Sequence, residues 1–374
     1  MNFSRLQWPV PLLLGLSVLL TLSVPASMAE TAPVAVAAPV APSPAAITPM
    51  QGPGVQSARD AREPQVLATC KHLVAPSTFK PPPGFTPPSG ESREYSVSAI
   101  PGVVAAGARW KSLWSVDGNN ADGIVAIADG GLLIAQNSNS AVIELDKNGK
   151  ERVLFKDTNT GGALSMSKSG VLFIVQRGLY PSIWQLRPQR RLLADRFMGD
   201  PLDCLRTVIN DLSADRRGGV YFTDGGVFYA DAKGVITQYG TDLVTNGIIL
   251  SPDEKTLYVT NRDTVAAFDV QPDGSLNNQR EFGKLRGLGD GAAVDAEARV
   301  YVTAHGDEGG VDVFSSKGEL LGVIPTPYPV ISLTFGGPGK KTLYAVAETG
   351  KSPAQAAAIL AIPTLAAGYP GRAK

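Results

Sequence analysis

Two histidines and two cysteines are all that 374 residues offer of those chemistries, and each shortage excludes something. With His72 and His305 as the whole imidazole supply, a serine or cysteine nucleophile has little from which to draw a base. Lys plus Arg and Asp plus Glu both total 34, so the net charge is zero and the basic footprint of a nucleic-acid binder is missing. No stretch of useful length repeats apolar residues at the helical period, which removes the crossovers that a TIM-like barrel needs. Past residue 29 no run is long and apolar enough to span a bilayer.

The one long apolar stretch stands at the front. Arg5 precedes a run from Pro11 to Val24, followed by Pro25 and the small residues Ser27 and Ala29, the pattern of a secretory signal peptide over residues 1–29. No cysteine lies near that cleavage point, so lipid attachment is not expected. Ala and Pro dominate residues 30–91, with runs such as Pro81-Pro82-Pro83 and Pro87-Pro88. A segment of that kind buries too little surface to offset its ordering entropy and reads as a flexible, partly polyproline-like tether. Residues 92–374 are then one large domain, and the expected location is exported, periplasmic or secreted. Cys70 in the tether and Cys204 in the domain either pair in an oxidising compartment or stand apart as small buried hydrophobes.

What the domain does contain is a repeat. Asp122-Gly123, Asn210-Asp211, Asn246-Gly247 and Asp290-Gly291 are each followed about ten residues later by a β-rich run: Leu132 to Ala135, Val220 to Thr223, Leu257 to Thr260 and Val300 to Thr303. Two further copies keep the strand and lose the polar starter, with Gly161 before Val171–Val175 and Ile331 before Leu343–Val346. Unit starts lie about 36 to 49 residues apart, the length of a four-stranded blade, and short strands alternate with turn chemistry such as Ser251-Pro252-Asp253. The expected fold is all-β, a six-bladed β-propeller with four-stranded blades. The last unit has only Ala357–Ile362 after its central pair, so the stretch from Tyr95 to Val116 is expected to close the ring as an N-terminal strand.

In such a ring, equivalent positions meet at the axis. Asp122, Asn210, Asn246 and Asp290 would bring two carboxylates and two carboxamides together, a charge match for one divalent cation. All-oxygen ligation favours calcium, with magnesium or manganese as alternatives, over zinc or copper. The plainer reading is that Asp-Gly, Asn-Gly and Asn-Asp simply start turns. The following strand returns to the same end about fifteen residues later, which points to Gln136, Gln176, Asp224, Asn261 and His305 as the lining of a substrate mouth. Trp110, Trp114 and Trp184 read as packing residues. Gly339-Lys340-Lys341-Thr342 and Gly350-Lys351-Ser352 look like pieces of a phosphate loop, but neither opens a helix after a strand.

Three phrases carry a family resemblance: Asn210 to Asp215 with Tyr221 to Asp224, Thr245-Asn246-Gly247 with Ser251-Pro252-Asp253, and Asp290 to Asp295. Together they resemble the gluconolactonase, senescence marker protein and luciferin-regenerating enzyme family over most of the chain after about Arg109. The resemblance implies a six-bladed propeller with one channel metal, usually calcium, and hydrolysis of lactones or, in some relatives, organophosphates. It makes Asn210, Asn246 and Asp290 metal ligands, with Asp290 in the acid/base role. The fourth ligand of the family is a glutamate in a Glu-Gly-Pro phrase. Here the matching phrase is Asp122-Gly123-Ile124, whose aspartate reaches one methylene less far. Val330-Ile331-Ser332 replaces a Thr-Asn pair, and no substrate-binding arginine carries over, since Val208 stands two residues before Asn210.

The expectation is thus an exported divalent-metal-dependent hydrolase of a lactone or related small cyclic ester, with Asp290 as general acid and base. The alternative is a non-catalytic, metal-stabilised propeller that binds a small ligand or protein. The partner expected is a small-molecule substrate, with no nucleic acid and no membrane span once the signal is removed.

Overall fold

The computed structural model describes residues 60–74, 90–306, 309–350 and 356–371. The chain divides into a unit Met1–Ser43 and a unit Pro44–Lys374, and only the second contains described residues. The expected signal peptide, most of the expected tether and Gly350-Lys351-Ser352 beyond its glycine therefore lie outside them.

Six four-stranded antiparallel sheets follow one another along the chain. Blade 1 comprises Ala121–Ala126, Leu132–Gln136, Ala141–Leu145 and Glu151–Phe155. Blade 2 comprises Gly161–Met166, Leu172–Gln176, Ser182–Arg187 and Arg191–Ala194; blade 3, Leu212–Ala214, Val220–Thr223, Val227–Ala230 and Ile236–Tyr239. Blade 4 runs over Thr245–Leu250, Thr256–Asn261, Thr264–Val270 and Leu276–Lys284; blade 5, over Leu288–Val294, Val300–His305, Gly310–Phe314 and Leu320–Pro325. Blade 6 takes Val330–Gly336, Thr342–Glu348 and Ala356–Pro363 from the end of the chain. Its outermost strand is Lys111–Asp117, paired antiparallel with Ala356–Pro363, so the N-terminal strand closes the ring as its apolar pattern predicts.

Six apolar clusters hold the ring, one in each seam between neighbouring blades. Ala121, Ile124 and Ile134 of blade 1 pack with Ile331, Tyr344 and Val346 of blade 6, which is direct evidence that the first and last blades touch. Phe173 and Val175 of blade 2 pack with Leu212, Phe222 and Phe228 of blade 3. The inner strands are buried on both faces because each is covered by two neighbours, as in Val330–Gly336, where every residue is buried. The outermost strands face water, and Leu276–Lys284 is mostly exposed. Burial by neighbouring blades explains why the central runs read as continuous Val, Ile, Leu and aromatics. Trp110 is buried in the seam of blades 5 and 6, and Trp114 and Trp184 pack at the edges of two other seams.

Between blades 2 and 3 the chain is longer than elsewhere. The extra length forms a small hairpin, Arg196–Phe197 with Asp200–Pro201, and a turn of 3-10 helix, Leu202–Leu205, that carries Cys204. Cys204 is joined to Cys70 by a disulfide, with Cα atoms 5.8 Å apart and a sequence separation of 134. Asp200 Oδ2 accepts the Lys71 and His72 amides at 2.9 and 2.7 Å, and residues 60–74, inside the stretch read as a tether, include a short helix, Glu63–Leu67. Gly339-Lys340-Lys341-Thr342 spans the end of a single 3-10 turn, Pro338–Lys340, and the start of the strand Thr342–Glu348 in blade 6, and opens no α-helix. Among the described residues no helix is long and apolar enough to cross a membrane.

Candidate functional site

Five of the six innermost strands are irregular at the same place. Register shifts fall between Ala121 and Ile124, Gly161 and Leu164, Thr245 and Ile248, Gly289 and Ala292, and Val330 and Ser332. The polar starters Asp122, Asn246 and Asp290 sit inside these bulges, and Asn210 holds the matching place just before Leu212–Ala214, where its amide bonds to Thr223 O at 2.8 Å. A bulge places two residues against one and turns their side chains out of the ladder. The phrases are therefore strand irregularities, and the turn reading does not hold for them.

The recurring Gly and Thr of the repeat serve the same device. A Cβ at Gly247 would stand 2.1 Å from the Asp290 carbonyl oxygen, so glycine lets the inner strands of blades 4 and 5 touch. In blades 3, 4 and 5 the Thr that ends the β-rich run pins the peptide at the starter: Gly247 N–H donates to Thr260 Oγ1 at 2.6 Å, and Asp211 N–H to Thr223 Oγ1 at 3.1 Å. Thr303 Oγ1 donates to Gly291 O at 3.2 Å.

The hub that results is rich in charge. His305 Nε2 lies 3.0 Å from Asp290 Oδ2, with the two side chains 12% and 20% exposed. Burial pushes the Asp290 carboxyl above its ordinary value, the charges of Asp122 and Asp211 add to the rise, and the His305 hydrogen bond offsets part of it. Burial is the largest influence on His305 and works against its charged form, but the Asp290 hydrogen bond and the charges of Asp290 and Glu348 together raise the imidazole overall. Glu348 is also raised, first by burial and then by Asp290 and Asp122. These couplings put Asp122, Asp290, His305 and Glu348 in one electrostatic neighbourhood.

Asp122 pairs with Arg177, whose guanidinium Nη1 donates to Asp122 Oδ2. Arg177 Nε donates to Ile209 O at 2.8 Å, and Nη2 donates to Asn210 O and, at 3.3 Å, to Asn210 Oδ1. The Arg177 side chain is fully buried. Sequence reasoning missed it by one residue. Gln136, Gln176 and Asn261 pair with Ala121, Gly161 and Thr245, whereas in blades 5 and 6 the equivalent partners of Gly289 and Val330 are Ala304 and Ala347. His305 and Glu348 are thus the counterparts of Arg177, one position beyond the row of glutamines. Applying the His305 position to every blade would have found both.

The other expected mouth residues keep to the blade end but are engaged locally. Gln136 Oε1 accepts from Asn139 at 3.3 Å, Asn261 Oδ1 accepts the Val244 amide at 2.8 Å, and Asp224 Oδ1 accepts the Thr207 hydroxyl. Gln176 is buried with its Nε2 unpartnered.

A divalent cation is tested here by its donors. Asn246 Oδ1 is buried without a hydrogen-bond partner, a lone-pair donor whose desolvation a cation would offset. Asp290 is a desolvated carboxylate beside it in the ring. No group of three or more His, Cys, Asp and Glu side chains lies close enough to hold a metal among the described residues, so the carboxamides are indispensable to any cage. The oxygen-only donor set fits a hard cation, with Asn246 and Asp290 as its open holders and both Asp122 and Asn210 shared with Arg177.

A closed six-bladed propeller whose inner strands carry oxygen-bearing side chains at shared bulges defines the class. Residues 120–349 match the family model described as SMP-30/Gluconolactonase/LRE-like region, and the chain belongs to that family. It is 28% identical over 239 residues to lactonase drp35 of Staphylococcus saprophyticus, covering 57% of this chain and 72% of that protein. Among solved structures, a gluconolactonase of Xanthomonas campestris superposes with a TM-score of 0.60 at 24% identity, covering 78% of this chain and 99% of that one. The calcium-binding protein regucalcin of Agrobacterium tumefaciens gives 0.55 at 16% identity, covering 68% and 95%. Likeness at these identities shows the fold alone.

Proposed function

We propose that this chain is an exported hydrolase of a lactone or related small cyclic ester, with one divalent cation, calcium before magnesium or manganese, at the hub. The observation that carries it is the Asp290–His305 pair, a buried carboxylate with raised proton affinity held at 3.0 Å by an imidazole. The names of relatives, lactonase and gluconolactonase, supply the reaction class, and the regucalcin likeness supports calcium. The pattern of residues 1–29 and the Cys70–Cys204 disulfide both support an oxidising, exported setting.

When bound, the cation supplies Lewis-acid polarisation of an ester carbonyl. Asn246 would give it a neutral oxygen and Asp290 charge, with Asn210 and Asp122 shared between it and Arg177. Asp290 also takes the proton of the attacking water and returns it to the ring oxygen that leaves as the ester opens. His305 fixes the orientation of that carboxylate through its Nε2 contact. The blade-end residues Gln136, Gln176, Asp224 and Asn261 bound the mouth through which a small substrate enters.

The test is hydrolysis of glucono-1,5-lactone and a panel of other lactones by the mature protein, with and without chelator. Turnover lost to chelator and to Asp290→Asn supports the reading. Absence of turnover across the panel, with a large calcium-dependent rise in Tm, would assign a metal-stabilised binding module instead.

A further inference from the structure

Blade 2 has no side chain at the starter position of its inner strand. Gly162 stands where Asp122, Asn210, Asn246 and Asp290 stand in their blades, and a Cβ there would lie 2.0 Å from Arg177 Cζ. The space left by that glycine is filled by a guanidinium. Its fork is held on one side by the carbonyls of Ile209 and Asn210 and on the other by the Asp122 carboxylate, with the whole side chain buried. Asp122 and Asn210 are two of the four residues that the hub offers to a cation. The other two, Asn246 and Asp290, are not engaged by Arg177, and Asn246 Oδ1 has no partner at all.

A guanidinium and a divalent ion on the same carboxylate repel each other, and the low dielectric of a buried site strengthens that repulsion. We infer that Arg177 is a resident cation that competes with the divalent ion for Asp122 and Asn210, leaving the Asn246–Asp290 half of the hub to hold that ion weakly. This rests on the reading of the hub as a cation site. Gly162 argues that the placement is built in, since any side chain at 162 would displace the guanidinium. Neutralising residue 177 completes a four-donor site and tightens the ion.

The experiment is calorimetric titration of the mature protein with calcium, alongside melting curves with calcium and with chelator, for wild type, Arg177→Gln and Arg177→Met. The expected result is binding at least tenfold tighter in the variants, about 1.4 kcal/mol, with a larger calcium-induced rise in Tm. Arg177→Gln keeps a donor for the two carbonyls, so it serves if Arg177→Met fails to fold by circular dichroism. Adding Asp122→Asn to Arg177→Gln should return the affinity to the wild-type range. A wild type that binds calcium with variants no tighter overturns the inference and leaves the cation reading standing. A gain that survives Asp122→Asn overturns it too, since Asp122 would not be the donor released. Absence of calcium binding in every form overturns the cation reading and the inference together.

Discussion

Asp295 and Asp290 lie five residues apart on one blade, and their surroundings differ completely. Asp295 is fully buried and fully used: Oδ1 accepts the Glu297 and Arg299 amides, each at 2.9 Å, while Oδ2 takes Arg299 Nε at 2.5 Å and the Tyr301 hydroxyl at 2.9 Å. Asp215 in blade 3 is built alike, with the Arg217 and Gly219 amides on Oδ1 and the Tyr229 hydroxyl on Oδ2. At the hub, Asp290 has one imidazole, and Asn246 Oδ1 has nothing. Buried polar groups that only hold a fold are satisfied within it, while those left open await something from outside. Satisfaction therefore separates two kinds of aspartate that look alike in the motif.

The largest effect should come from opening the closed cluster. Asp295→Ala strands Arg299 and the Tyr301 hydroxyl in the seam, and it should cost about 3–5 kcal/mol of stability in denaturant titration. A loss under about 1 kcal/mol would mean that the closed cluster is no more structural than the hub. Next, Asp290→Asn should reduce lactone turnover at least about a hundredfold while leaving Tm unchanged or higher, because the carboxylate is held there against its desolvation. Steady-state kinetics and a melting curve on one preparation decide it. If Tm falls as far as in Asp295→Ala, the contrast fails.

Third, calcium at about a hundred times its dissociation constant should stabilise the wild type by about 2.7 kcal/mol. Asn246→Ala should remove most of that gain with little change in the chelated protein. The smallest effect concerns a buried carboxyl away from the ring. Burial holds Asp224 well above its ordinary value, with Asp203 adding to the rise. A carboxyl raised on folding contributes stability that is complete below its unfolded value, 3.8, and is lost as pH rises through the folded one. Asp224→Asn should consequently melt higher than wild type at pH 8, by an amount on the order of 1 kcal/mol, with the gap closing toward pH 4. A gap independent of pH would show that Asp224 is not penalised for its charge.

How much of this was readable beforehand varies with distance from the axis. The blades were legible because neighbours bury their central strands on both faces, which leaves continuous runs such as Val220–Thr223 and Val300–Thr303 in the sequence. The polar residues at the inner-strand bulges were legible as the starters of those units. Arg177 was not, because the unit start in blade 2 reads as Gly161, one residue before Gly162, the register counterpart of Asp290. Counting about fifteen residues onward then reaches Gln176 in blade 2 but His305, its neighbour's counterpart, in blade 5. The roles of Asp215 and Asp295 were hidden as well, since a motif shows which residues recur and not which of their atoms are already bonded.

The amino-acid sequence by itself determined the number of blades, the strand that closes them and the oxygen-bearing residues Asp122, Asn246 and Asp290 that fall at the inner-strand bulges. These follow from local periodicity, because each unit repeats the same burial problem. Only the tertiary structure decided that Arg177 reaches from one blade to the residues of two others and that Asn246 is left open while Asp295 is sealed. Such pairings join residues tens of positions apart, and no local rule of strand or turn reports them.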